Sequence, residues 1–191
     1  FIDLMNKTAQ RMGLAGTHFM NSTGLPDAQH YTTARDLATL AANIIRDFPE
    51  HFPLYSMREF KYNNITQYNR NRLLLIDPHV DGLKTGFTES AGYCLIATAK
   101  RAPRRLISVV LGTASDSARA QESLKLLNYG FQFYETVRLY TKGQTVSALR
   151  VYKGADSEVK AGFMEDFHIS APLGTAARLK ATLESVQPLI A

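Results

Sequence analysis

The sequence has little of what most often marks a site. Its 191 residues hold one cysteine, Cys94, which excludes a disulfide within the chain and any cysteine-based metal site. Cys94 falls in the apolar run Cys94-Leu95-Ile96-Ala97 and reads as a small buried hydrophobe. The five histidines never stand at H-x-x-x-H or H-x-H spacing, so no metal centre is expected, and nothing calls for a cofactor. No apolar run approaches the roughly 20 residues of a membrane-spanning helix, and the opening residues do not read as a secretory leader. Long blocks of one charge are also missing. Lys and Arg total 22 against 17 Asp and Glu, a net charge of +5. There is no basic stripe and no aromatic–basic repeat, so nucleic acid is not an expected partner. The mild surplus would suit an anionic polymer or an acidic membrane surface.

What is present is ordinary globular material. Hydrophobic residues make up 45% and charged residues 20%, enough for a real core in one or two domains. Residues 1–14 predict an amphipathic helix, with Ile2, Met5, Ala9 and Met12 on one face and Gly13 and Gly16 ending it. A polar loop follows, in which His18 and Asn21 read as structural. Thr33 predicts an N-cap with Asp36 three residues on, in a capping-box arrangement. Leu37, Leu40, Ala41, Ile44 and Phe48 share the next helical face, and Pro49 stops it. Within residues 51–75 only "REFKYN" alternates as a strand would, and "QYNRNRLLLIDP" reads as a loop entering a short apolar segment. Strands are expected from Gly92 to Ala99 and from Leu106 to Gly112, around the charged hairpin tip "KRAPRR". Ser115 to Tyr134 predicts a long helix burying Ala120, Leu124, Leu127 and Phe131, with Ser115 or Asp116 as its cap. From about 137–143 short alternating segments take over.

One polar stretch carries chemistry: "DGLKTGFT" at 81–88, ahead of the strand-like "GYCLIATA". Lys84-Thr85 near glycines imitates a phosphate loop, but that loop needs G-K-[ST] before a helix. Here Leu83 precedes the lysine and a strand follows. K-T-G beside a strand has another use, in serine acyl-transfer enzymes that also carry S-x-x-K and S-x-N. A lysine ammonium holds a carboxylate and stabilises developing negative charge. The threonine hydroxyl can bond the same carboxylate. The glycine lets a substrate backbone lie close, and the strand edge can pair with it.

The surroundings extend the match. "NRNRLLLIDPHVDGLKTGFTESAGYCLIATAKRAPRRLISVVLG", "GTHFMNSTGL" and "YTTARDLATLA" resemble the serine D-alanyl-D-alanine carboxypeptidases, the low-molecular-mass penicillin-binding proteins. The resemblance covers residues 1 to about 140 and extends more loosely beyond. It implies an α+β fold. Residues 1–138 would be the C-terminal portion of a transpeptidase-like domain, an antiparallel sheet with helices on both faces. Residues 139–191 would be a truncated β-rich second domain. It also implies that Lys84, Thr85 and Gly86 bind substrate, with Lys84 in the catalytic array, and that Arg70 stands near the substrate's terminal carboxylate. Asp81 is expected in a turn or capping role. Phe87 departs from the family, where several members have histidine.

The nucleophile is not legible. The single S-x-x-K is Ser157-Glu158-Val159-Lys160, after the KTG and on a charged alternating stretch. No S-x-N occurs, and Tyr62-Asn63-Asn64 only imitates Y-x-N. Both chain ends also read as cut. The expectation is therefore a fragment, inactive alone and forming no penicilloyl adduct, completed by the upstream part of the same protein. The implied partners are peptidoglycan stem peptides ending in D-Ala-D-Ala and β-lactam antibiotics. The implied location is the periplasm, with membrane attachment through a C-terminal helix beyond this chain. A β-lactamase is the nearest rival, but the loops before KTG lack a glutamate. A D,D-endopeptidase and a non-catalytic cell-wall-binding protein of the same fold remain open.

Overall fold

The computed structural model describes residues 1–179, Glu184 and Leu189–Ile190. Much of the alternating stretch expected over 177–190 lies outside the described residues. The chain divides into two compact units, Phe1–Gly130 and Phe131–Ala191.

The first unit is built on a three-stranded antiparallel sheet of β3 (Val80–Thr88), β4 (Gly92–Arg101) and β5 (Arg104–Thr113), in that order. Helix α1 is Ile2–Arg11 and α2 is Ala34–Asp47. Thr33 caps α2, its hydroxyl accepting from the Asp36 amide at 3.1 Å. Asp36 does not complete a capping box. It is buried and accepts from the Gly16 amide at 2.9 Å and the Thr17 hydroxyl at 2.6 Å, pinning the preceding loop. In that loop Asn21 Oδ1 gathers the amides of Thr23, Gly24 and Leu25, and His18 bridges to Tyr31.

Helix α2 packs on β5. Ala41 meets Phe52 and Leu83 there, with Ile45, Tyr55, Ile96 and Ile107 around them. Phe48 leaves this face because the helix has already ended, and its ring stacks on His51. Helix α4 (Asp116–Phe133) lies on the other face. Side chains alternate along β5, so Leu106 points away from Ile107, and Leu106 meets Gly130 of α4. A Cβ on Gly130 would stand 2.7 Å from the Leu106 Cδ1. Leu127 and Ala120 of α4 are buried, whereas Leu124 and Phe131 are only half-buried.

Two readings are sharpened. "KRAPRR" forms the expected antiparallel hairpin with a tighter tip: β4 runs to Arg101 and β5 starts at Arg104, leaving Ala102-Pro103 as the turn. Two of the basic residues are held in the strands by carboxylates, Arg101 by Asp77 at 2.8 Å and Arg105 by Asp81 at 2.6 Å. Residues 59–68 form a full hairpin, β1 (Glu59–Tyr62) with β2 (Ile65–Tyr68), followed by the short α3 (Leu73–Ile76). Asn63 and Asn64 both have positive φ, 47° and 59°. That conformation suits a tight hairpin turn, and asparagine tolerates it.

Asp77 supplies an acid-sensitive tie. Burial alone would raise its pKa. The His79 amide, the Arg101 guanidinium and the His79 ring outweigh that and hold it below the ordinary carboxylate value. A folded-state pKa below the unfolded value of about 3.9 gives stability that is present above about pH 4 and lost as pH falls through the folded value. Asp77→Asn should therefore lower the melting temperature at pH 7, with the difference from wild type shrinking below about pH 4. Thermal unfolding across pH 2–7 measures it.

The second unit takes in the last residues of α4 and the strands that follow. Strand β6 (Tyr134–Tyr140) pairs antiparallel with β9 (Phe167–Pro172). Strands β7 (Thr145–Tyr152) and β8 (Glu158–Gly162) form a hairpin, with β10 (Leu189–Ile190) parallel to β7. Tyr140, Phe163 and Phe167 stack in series at 5.3 and 4.4 Å. This is the β-rich region the alternation predicts.

Candidate active site

The KTG motif lies within β3 and ahead of β4. Lys84 pairs with Ile96, Thr85 with Leu95 and Gly86 with Cys94. Among the described residues β3 pairs on one side only, so its other edge offers backbone donors and acceptors to a ligand. A cleft of about 580 Å³ opens there, lined by Lys84, Thr85, Gly86, Arg70 and Arg119.

Each lining group has a distinct support. Lys84 is exposed, and its Nζ donates to its neighbour's carbonyl, Thr85 O, at 2.7 Å. Gly86 is not required by packing: a Cβ there would meet only the Cys94 Cβ, at 3.8 Å. Its missing side chain leaves the strand edge bare. Gly82 differs, because a Cβ would come within 3.3 Å of Phe52 Cζ and Thr98 Oγ1. Asp81 is neither in a turn nor a cap. It sits in β3, where both oxygens meet the Arg105 guanidinium, at 2.7 and 2.6 Å, and the Thr98 hydroxyl donates at 2.5 Å.

"NRN" divides its labour. Asn69 donates to Met57 O at 2.9 Å and accepts from the Asn71 amide at 2.9 Å. Asn71 is buried, donates to Gly82 O at 2.9 Å and accepts from the Leu73 amide at 3.2 Å. The two asparagines anchor the loop to the 3-10 turn Phe52–Ser56 and its end, and to β3. Arg70, between them, lines the cleft and has no hydrogen bond or ion pair with the other described residues.

Arg119 was not legible as a site residue. It is buried on α4, beside the buried Ala120, Ser123 and Leu127. Its guanidinium donates to Gly86 O at 3.0 Å and Cys94 O at 3.5 Å, spanning β3 and β4. It pairs with Asp116 and lies 5.4 Å from the Tyr93 ring centroid. The Phe87 ring in turn lies tilted against Tyr93, 4.2 Å between centroids. A signal existed in sequence: an arginine on the apolar face of a helix, with an aspartate three residues before it.

Cys94 is half-buried rather than buried, its Sγ 3.6 Å from Ala91 O. In the second unit Ser157 immediately precedes β8 and Lys160 lies within it, on an exposed stretch where three-residue spacing sends side chains to opposite faces. Three cations thus line one cleft, and one of them is neutralised by Asp116. Such an array suits an anionic group, and a carboxylate fits the guanidinium fork and the ammonium together.

The model of the D-alanyl-D-alanine carboxypeptidase family matches residues 1–115, and the chain belongs to that family. Residues 134–191 match the C-terminal domain of penicillin-binding protein 5. The D-alanyl-D-alanine carboxypeptidase DacA of Haemophilus influenzae is 44% identical over 186 residues, covering 96% of this chain and 47% of that protein. The chain thus spans about half the length of the curated relatives it matches. Penicillin-binding protein 5 from the same organism superposes with a TM-score of 0.89 at 42% identity, over 100% of this chain and 56% of the other. Penicillin-binding protein D2 of Listeria monocytogenes, solved in an ampicillin-bound form, matches with a TM-score of 0.64 at 33% identity, over 69% and 55%.

Proposed function

We propose that this chain is one wall of a serine D-Ala-D-Ala carboxypeptidase of peptidoglycan maturation, and that the upstream part of the same protein supplies the serine and its lysine base. The observation that carries the reading is the uncompensated cation pair Arg70 and Lys84, set with the Thr85 hydroxyl along the bare edge of β3. A stem peptide ending in D-Ala-D-Ala would add to that edge as a strand. Its terminal carboxylate would meet Arg70, Lys84 and Thr85. The scissile carbonyl would then be presented to the serine. The serine oxygen attacks, the amide C–N bond breaks, and D-alanine leaves with the proton taken from the hydroxyl. Water hydrolyses the acyl-enzyme. Lys84 lowers the barrier by holding negative charge as it develops.

A β-lactam carries a carboxylate beside its reactive carbonyl and would occupy the same cleft. The ampicillin-bound relative supports this use of the fold. The reading places the enzyme in the periplasm, held at the inner membrane by a helix beyond this segment.

Two measurements test it. The complete enzyme should release D-alanine from a pentapeptide; release of monomers from cross-linked dimers alone would establish an endopeptidase instead. Residues 1–191 by themselves should show no covalent mass increase with ampicillin, because the one S-x-x-K they contain follows the KTG in sequence and sits on an exposed stretch where its serine and lysine do not share a face. A penicilloyl adduct on this chain would overturn the division of the site.

A further inference from the structure

We propose that Asp116 is a positioning residue that sets the spacing of the cleft arginines Arg70 and Arg119, a role that rests on the carboxylate-binding reading above. Asp116 is the first residue of α4, where the helix dipole favours a carboxylate. One of its oxygens pairs with Arg119, and the other lies 2.7 Å from Arg72 Nε. Arg119 reaches β3 through Gly86 O at 3.0 Å. Arg72 adjoins Asn71, whose buried amide reaches β3 through Gly82 O at 2.9 Å. Helix, loop and strand are therefore joined in a closed ring of three links. The strand segment between the two β3 anchors, Gly82 and Gly86, is the one that carries Lys84 and Thr85.

The energetics separate geometry from stability. The Arg72 side chain is 62% exposed, and an ion pair so placed adds little to folding. Its consequence is that the loop carrying Arg70 keeps a fixed distance from α4. The Arg119 side chain is only 7% exposed, so Asp116 is what lets its charge stay buried against the strand. Without Asp116 both arms lose their common anchor. A ligand carboxylate would then meet its cations at the wrong spacing, whereas a ligand with no carboxylate would be indifferent.

The test uses the complete enzyme and one D-Ala-D-Ala peptide in two forms, free acid and C-terminal amide, competing with acylation by a chromogenic β-lactam. Asp116→Asn should weaken the free acid by about tenfold or more, the loss of one charge-assisted contact, and leave the amide within about twofold. Arg72→Gln, at an exposed side chain that folding does not need, should weaken the acid by about threefold and leave the amide unchanged. Equal weakening of both ligands in either variant, or no change in Arg72→Gln, overturns the positioning role. A wild-type enzyme that binds acid and amide equally overturns the carboxylate-binding reading itself.

Discussion

Replacing Lys84 with methionine in the complete enzyme should lower kcat/KM on a D-Ala-D-Ala peptide by about 10²–10³-fold, the usual cost of removing a donor aimed at developing charge. The fold should not notice. Lys84 is exposed and makes one intrachain hydrogen bond, to Thr85 O. Methionine keeps the apolar stem and removes only the ammonium. Unfolding should stay within about 0.5 kcal/mol of wild type, as for other surface changes. Penicillin acylation should slow in parallel, since the β-lactam carbonyl develops the same charge. Lys84→Arg should rescue only partly, because a planar fork does not replace a compact point charge. Release of D-alanine, followed with a range of substrate concentrations, separates the two contributions of this residue. A loss confined to KM would make Lys84 a binding group only, and a loss under tenfold would remove it from the reacting array.

The local signals explain which parts of this site could be read from sequence. Lys84, Thr85 and Gly86 are contiguous, so a three-residue pattern finds them. Thr33 and Asn21 act on amides two to four residues away, and local rules cover such bonds. The hairpin β1–β2 was half visible. "REFKYN" alternates, but its partner strand lacks a clean alternation and is exposed throughout. Asp81 and Asp36 were misread for one reason: each has its decisive partner far along the chain. Asp81 meets Arg105, 24 residues on, and Asp36 meets Gly16, 20 residues back. Local capping rules cannot see either. At the "KRAPRR" hairpin the strands run further toward the tip than expected, and Asp77 and Asp81 hold Arg101 and Arg105 within them. Arg70 was found only by likeness to a family. Its physical reason, two asparagines whose side chains turn back to the backbone and leave the arginine between them in the cleft, needs three dimensions.

Arg119→Met is expected to have the larger structural effect. The side chain is nearly buried, and its guanidinium spans Gly86 O, Cys94 O and Asp116 at once. Methionine fills much of the volume but satisfies none of them. Breaking a buried pair by removing one partner costs about 3–5 kcal/mol. Here the loss should fall at the lower end or below it, about 2–3 kcal/mol, because the Asp116 side chain is 32% exposed and keeps Arg72. At about 2–4 °C per kcal/mol for a chain of this size, that is a fall in melting temperature of about 4–12 °C. Function should fall with it, and for a separable reason. Gly86 O would lose its tie to α4, so the KTG strand edge would no longer be held against the helix, and the cleft would lose one of its cations. The free-acid peptide should bind at least tenfold more weakly, while the amide loses less. Arg119→Lys distinguishes the two effects: an ammonium keeps the charge but cannot bridge both carbonyls and the carboxylate. It should therefore recover part of the electrostatic attraction and little of the stability. A lysine variant that restored the melting temperature in full would show that charge alone, and not the span across β3 and β4, is what Arg119 contributes.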